Sequence, residues 1–128
     1  NHQEAFTNAK KYGANVFVCR EIRKNGWRAS IKKAIELASK DTEVMYVTIC
    51  ADSLDAAFMP QGPQDMGGLT SFELLMMVHE AGLAGARALD FVEIYPDAYS
   101  LQPASHVGCW LALYFLNGVA ERRKNGEK

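Results

Sequence analysis

The sequence predicts an α/β fold with a parallel sheet held between layers of helices. Two observations predict it. Segments of helical and strand character alternate along the chain, and the stretch from Glu43 to Cys50 is a nearly continuous apolar, β-prone run through Val44, Met45, Tyr46, Val47, Thr48 and Ile49. Such a run suits a strand buried on both faces, as strands of parallel sheets are. Parallel neighbours need a crossover, and the helical segments between strands supply it.

The elements follow in order. Gln3 to Tyr12 reads as a short helix, with Gly13 as its stop because glycine accepts the left-handed conformation at a helix end. Asn15 to Cys19 reads as a strand. Trp27, Ile31, Ala34, Ile35 and Ala38 then recur at helical spacing, with Arg28, Lys32, Lys33, Glu36 and Lys40 on the other faces, which predicts an amphipathic helix. The apolar run to Cys50 is the central strand.

Residues 51–69 hold Pro60, Gly62, Pro63, Gly67 and Gly68, the mark of a long loop, and loops of that length usually carry function or lack order. Thr70 and Glu73 match a capping box, in which a hydroxyl and a carboxylate three residues apart satisfy the open backbone donors of a helix start. That helix is expected to end at Gly82. Arg87 to Ile94 reads as a further strand, Tyr95 to Pro103 as a loop, and Ser105 to about Arg122 as a last helix, apolar nearly all round in its middle. About three strands are expected, a sheet whose edges further chain must cover.

Composition excludes several classes. A chain of 128 residues with 48% hydrophobic and 23% charged residues and a formal net charge of -1 belongs with ordinary globular proteins, at a size that fits one domain. Neither nucleic acid nor a membrane is indicated as a partner. The basic cluster Arg122, Arg123 and Lys124 sits beside Glu121 and Glu127, as at a solvated helix end. The apolar stretch from Cys109 to Leu116 is far shorter than the roughly 20 residues of a membrane span. The three cysteines, Cys19, Cys50 and Cys109, each in an apolar run, suit reduced core thiols and hence a reducing compartment, cytoplasm or an organelle matrix.

Ligands of open parallel sheets bind outside the carboxyl ends of the strands. That rule selects Cys50 and Asp52 after the central strand, and Glu93 at the end of the next. Residues two apart in extended chain share a face, so Cys50 and Asp52 can aim at one ligand. A thiolate and a carboxylate make a mixed pair that names no metal, and the alternative is a core thiol beside a turn-capping Asp52. Glu93 can equally sit in water or pair with a helix residue. His79 and His106 fall on helices without a second histidine at ligand spacing, and His2 lies near the chain end. Trp110, Tyr114 and Phe115 read as a core face, and Gly67-Gly68 lacks the remaining residues of a phosphate loop.

Longer patterns go further. The segment from Asp52 through Ser53, Leu54, Asp55, Ala56, Ala57 and Phe58, then Pro60, then Gly67-Gly68-Leu69-Thr70, and finally Asp90-Phe91-Val92-Glu93-Ile94-Tyr95-Pro96 resembles the ureohydrolase family of arginases, agmatinases and formiminoglutamases. The likeness runs from about Asn15 to Arg122 and is densest from Val47 to Pro96. It implies that residues 1–128 are the C-terminal portion of one ureohydrolase-like domain with a three-layer αβα, arginase-like fold, completed by an N-terminal half. It also implies a homo-oligomer, a trimer or hexamer, and a pair of manganese ions (Mn) activating a hydroxide that attacks a small guanidino or formimino substrate. Metal lowers the pKa of bound water and so supplies the nucleophile at neutral pH.

Carried over residue by residue, the resemblance makes Asp52 the second aspartate of the family's Ser-x-Asp-x-Asp motif, a ligand to one metal. Glu93 becomes the carboxylate that receives the guanidinium. Thr48 stands where the motif has serine, and Cys50 stands where the family has its bridging aspartate. No catalytic residue of the family's earlier motifs falls within the chain. Two readings follow: a metal-dependent amidinohydrolase completed by upstream residues, or a degenerate, metal-free relative with a structural or regulatory role.

Overall fold

The computed structural model describes residues 3–59, 66–95 and 101–126, with the side chains of 101–103 left aside. The order is α1 (Gln3–Lys11), α2 (Cys19–Asn25), α3 (Trp27–Ser39), β1 (Tyr46–Cys50), a 3₁₀ turn (Ala51–Ser53), α4 (Ser71–Leu83), β2 (Ala88–Val92) and α5 (Leu101–Lys124). The two strands pair in parallel, with Tyr46 opposite Ala88 and Cys50 opposite Val92, and α4 makes the crossover. The core lies between one face of this sheet, the 3₁₀ turn and helices α4 and α5. It is built on Ile49, Leu54, Met59, Leu74, Val78, Leu111 and Phe115. No helix among the described residues is long and apolar enough to cross a membrane.

Local chemistry explains the helix ends. Thr70 Oγ1 accepts from the Glu73 amide at 3.2 Å while Glu73 Oε2 accepts from the Thr70 amide at 2.8 Å, the reciprocal pair expected of a capping box. At the end of α1, Gly13 takes φ +75° and the Ala14 amide donates to the Ala9 carbonyl at 2.8 Å, closing the last turn. Helix α4 does not stop at Gly82. It continues to Leu83, and Gly85, at φ +95°, is the residue that turns the chain, with the Ala86 amide reaching back to the Ala81 carbonyl. Gly82 serves another purpose: a Cβ there would lie 2.4 Å from the Phe115 carbonyl of α5.

Four other expectations are corrected. Asn15–Cys19 is not a strand, because the extended backbone at Val18 has no neighbouring strand to pair with among the described residues, and Cys19 opens α2. Two strands, not three, are therefore present among the described residues. The sheet is covered on one face only: Ile49 is buried, while Tyr46 and Thr48 on the opposite face are exposed. Helix α5 begins at Leu101, since Pro103 falls in its first turn, where a missing amide breaks no helical bond.

The core face assigned to Trp110, Tyr114 and Phe115 holds for Phe115, which is 8% exposed, and fails for Trp110, which is 47% exposed. Trp110 and Tyr114, edge to face with each other at 6.1 Å, border a groove with Leu54, Leu74 and Leu75, where Tyr114 is half-buried. Cys109 is exposed, so it is not a core thiol, whereas Cys19 and Cys50 are half-buried. None of the three forms a disulfide. His79, 14% exposed in its side chain, pairs through Nε2 with Glu121 at 3.2 Å and so ties α4 to α5. His2, Pro60, Gly62, Pro63, Pro96, Asp97 and Glu127 lie outside the described residues.

Candidate functional site

The parallel register brings the selected residues to one edge. Cys50 closes β1 and pairs with Val92, the last residue of β2, so Glu93 follows directly at the same level. Asp52 sits in the 3₁₀ turn that begins at Ala51, whose side chain is 1% exposed and anchors the turn to the core. Both strands thus end together, and their first residues past the ends form the carboxyl edge where open parallel sheets bind ligands.

Asp52 is half-buried, and its Oδ1 is shielded from water with no hydrogen-bond partner. A buried carboxylate oxygen left so costs about 1–3 kcal/mol or more, and a cation is the usual remedy. Glu93 takes φ +60°, a left-handed conformation that costs a non-glycine residue about 1–3 kcal/mol and that clusters at functional sites. Its Oε2 accepts a hydrogen bond from the Tyr95 hydroxyl at 2.6 Å. That bond, and the Glu93 charge behind it, hold the Tyr95 phenol above its ordinary value, with burial and the nearby Asp52 and Cys50 adding to the effect. Tyr95 therefore shares the field of all three residues chosen from the sequence.

The turn beyond Asp52 is pinned by Asp55. Its Oδ1 accepts from the Ala57 amide at 3.0 Å and its Oδ2 from the Gly67 amide at 2.7 Å. These bonds, first to Ala57 and then to Gly67, hold the Asp55 carboxyl below its ordinary value, and Arg23 adds to the effect. Leu54 and Leu69 form a parallel bridge, and a Cβ at Gly68 would lie 2.4 Å from the Asp55 nitrogen, so only glycine permits the approach. One strand residue earlier than Cys50 on the same face, the Thr48 hydroxyl stands opposite Asp90. Together with the Tyr46 hydroxyl it holds the Asp90 carboxyl below its ordinary value.

The donors do not fit a manganese pair on their own. Among the described residues no three of histidine, cysteine, aspartate and glutamate gather closely enough to hold a metal ion. Asp52 offers a hard oxygen, which suits manganese. Cys50 offers a single soft sulfur where a bridging carboxylate would offer two oxygens, and this does not suit it. His79, on α4, is bound to Glu121, and His106, near the start of α5, lines a groove with Leu54, Phe58 and Ser71.

The strand ends pointed to Cys50, Asp52 and Glu93 as candidates and left Tyr95 as loop. A hydroxyl two residues past a strand-end carboxylate was the available signal. Arg23 and its bonds to the Gly67 and Gly68 carbonyls, 44 and 45 residues away, left no local trace.

Comparison with known proteins adds a lineage. Residues 1–117 match the Arginase family. The formimidoylglutamase of Halalkalibacterium halodurans is 26% identical over 112 residues, which cover 86% of this chain and 35% of that protein. The crystal structure of formimidoylglutamase from Bacillus subtilis superposes with a TM-score of 0.82 at 25% identity, over 94% of this chain and 38% of that one. The Trypanosoma cruzi formiminoglutamase, crystallised with Mn2+, has the same fold, with a TM-score of 0.80 at 24% identity over 94% of this chain and 41% of that one. The chain thus spans between a third and about two fifths of the length of these relatives, and the partial arginase-like α/β fold expected from the sequence is the fold observed.

Proposed function

This chain belongs to the arginase family, and on that premise we propose that it is the C-terminal portion of a hydrolase of linear C–N bonds in guanidino or formimino compounds. Residues N-terminal to it would complete the metal site. The observation that carries the reading is the convergence of Asp52 and Glu93 at the carboxyl ends of adjacent parallel strands, one with a buried oxygen lacking a donor, the other with a strained backbone and a carboxylate held by Tyr95.

In this reading Glu93 receives the cationic end of the substrate by charge-assisted hydrogen bonds, which are roughly twice as strong as neutral ones. Tyr95 fixes the rotamer of that carboxylate before the substrate arrives. Asp52 contributes one metal ligand. The names of the relatives support a formimino substrate first, and the Arginase family match a guanidino substrate second.

One observation favours a second reading, in which the protein has lost metal and catalysis and serves a structural or regulatory role: Cys50 occupies the bridging position. The full-length protein separates the two. Metal content and hydrolysis of N-formimino-L-glutamate, agmatine and L-arginine are measured for the wild type and for Cys50→Asp. Two divalent ions per wild-type chain with turnover of one substrate support the hydrolase. Metal and turnover appearing only in Cys50→Asp overturn it and identify the cysteine as the cause.

A further inference from the structure

Arg23 stands on α2, on the far side of the molecule's sequence from the strand-end motif, yet its guanidinium reaches the glycine pair that closes the loop after Asp52. Its Nη1 donates to the Gly67 carbonyl at 2.9 Å and its Nη2 to the Gly68 carbonyl at 2.5 Å. From the other side, Asp55 Oδ2 accepts from the Gly67 amide at 2.7 Å. The Leu69 amide donates to the Ser53 carbonyl at 2.8 Å, and the Asp55 amide to the Leu69 carbonyl at 2.9 Å.

The glycine pair is thus gripped from two sides, by a cation on both its carbonyls and a carboxylate on the Gly67 amide. Ser53, the residue next to Asp52, is tied into that grip through its carbonyl. Gly67 takes φ +85° and Gly68 has no room for a side chain, so the geometry leaves little freedom once the two charges are in place. A planar fork with two parallel donors matches two successive carbonyls. An ammonium group carries the charge without the fork.

From this we infer that Arg23 is a positioning residue: it sets the turn that carries Asp52 by clamping the Gly67 and Gly68 carbonyls against the Asp55 carboxylate. The inference rests on the hydrolase reading of the same edge. Arg23 is exposed and its bonds go to the Gly67 and Gly68 carbonyls, so its effect on Asp52 passes through the backbone from Leu69 to Ser53.

The test uses the full-length protein with Arg23→Gln and Arg23→Lys, and with Lys33→Gln as a control that removes only the surface pair of Lys33 and Glu36. Amide hydrogen exchange at Gly67 and Leu69, and kcat and KM for N-formimino-L-glutamate, agmatine and L-arginine, are the readouts. Arg23→Gln is expected to speed exchange at both amides about tenfold and to lower kcat about tenfold with KM little changed. Arg23→Lys should recover less than half of either effect, and Lys33→Gln should match the wild type. Unchanged exchange in Arg23→Gln overturns the clamp. Faster exchange with wild-type kcat reduces it to a structural contact and overturns the positioning role, as would full recovery by lysine. A wild type that hydrolyses none of the three substrates sinks the hydrolase reading and the positioning role with it, while the exchange rates still report whether the clamp exists.

Discussion

Helices α4 and α5 cross through a pair of glycines, and Gly118→Ala tests whether that contact limits the fold. A Cβ at residue 118 would lie 2.2 Å from the His79 carbonyl and 2.8 Å from the Leu83 nitrogen, both backbone atoms of α4. Reciprocally, residue 82 of α4 faces the Phe115 carbonyl at 2.4 Å. No rotamer change relieves a clash with backbone, so the helices must part by about 1 Å, a gap that forfeits a quarter to a half of each dispersion contact across it. Leu111 and Phe115, which line that interface, lose contacts first.

Overpacking of this kind costs about 1–3 kcal/mol, against roughly 1 kcal/mol gained because alanine favours helix over glycine. The expected net result is a loss of about 1–2 kcal/mol, since a backbone clash falls at the upper end of the range. Gly108→Ala on the same helix provides the opposite sign: its Cβ would meet Phe91 Cδ1 at 3.5 Å, an ordinary contact, so only the propensity gain of up to about 1 kcal/mol remains. Urea unfolding of the two variants and the wild type measures both. Equal stabilisation by both substitutions would refute the close crossing.

Three other perturbations follow from the same structure. Thr70→Ala removes the hydroxyl that accepts from the Glu73 amide and should cost about 1 kcal/mol in urea unfolding, with helicity falling at the start of α4. Because the Ala57 and Gly67 amides hold the Asp55 carboxyl below its ordinary value of 3.8, its contribution to stability is fully present above that pH and is lost as pH falls through the lowered native value. Asp55→Asn should therefore flatten the acid limb of a stability profile below about pH 4. An unchanged acid limb would show that those bonds do not persist in solution. Tyr95→Phe removes the 2.6 Å bond to Glu93 and should raise KM about three- to tenfold in the full-length protein with kcat nearly constant, the signature of a looser substrate-binding carboxylate.

How much of this was legible depended on how local the cause is. Thr70 and Glu73 announce the start of α4 because a capping box is complete within four residues. Gly82 misled, because a glycine within a helix reads as a stop when the neighbouring helix that requires it is not in view. The short polar helix α2 has one buried residue, Ile22, and so no apolar period to detect. Val16, Phe17 and Val18 carry strand propensity, but a strand exists only where a neighbour completes the ladder. The strand-end rule selected Asp52 and Glu93, and the fold brings them to one edge since parallel strands of matched length finish side by side. The Arg23 clamp depends on a fold already formed and has no counterpart in sequence spacing. Trp110 was misplaced for a related reason: apolar residues surround α5, and periodicity cannot choose which side of such a helix faces the core.

The role of the strand-end carboxylates is tested most directly by hydrolysis of N-formimino-L-glutamate, agmatine and L-arginine by the full-length protein, compared with Asp52→Asn and Glu93→Gln. The wild type is expected to turn over at least one of the three, and each variant to lose about a hundredfold in kcat/KM, since a hydrogen bond to a charged group contributes up to about 3 kcal/mol. Wild-type turnover retained in either variant, or no turnover of any of the three by the wild type, would contradict that role.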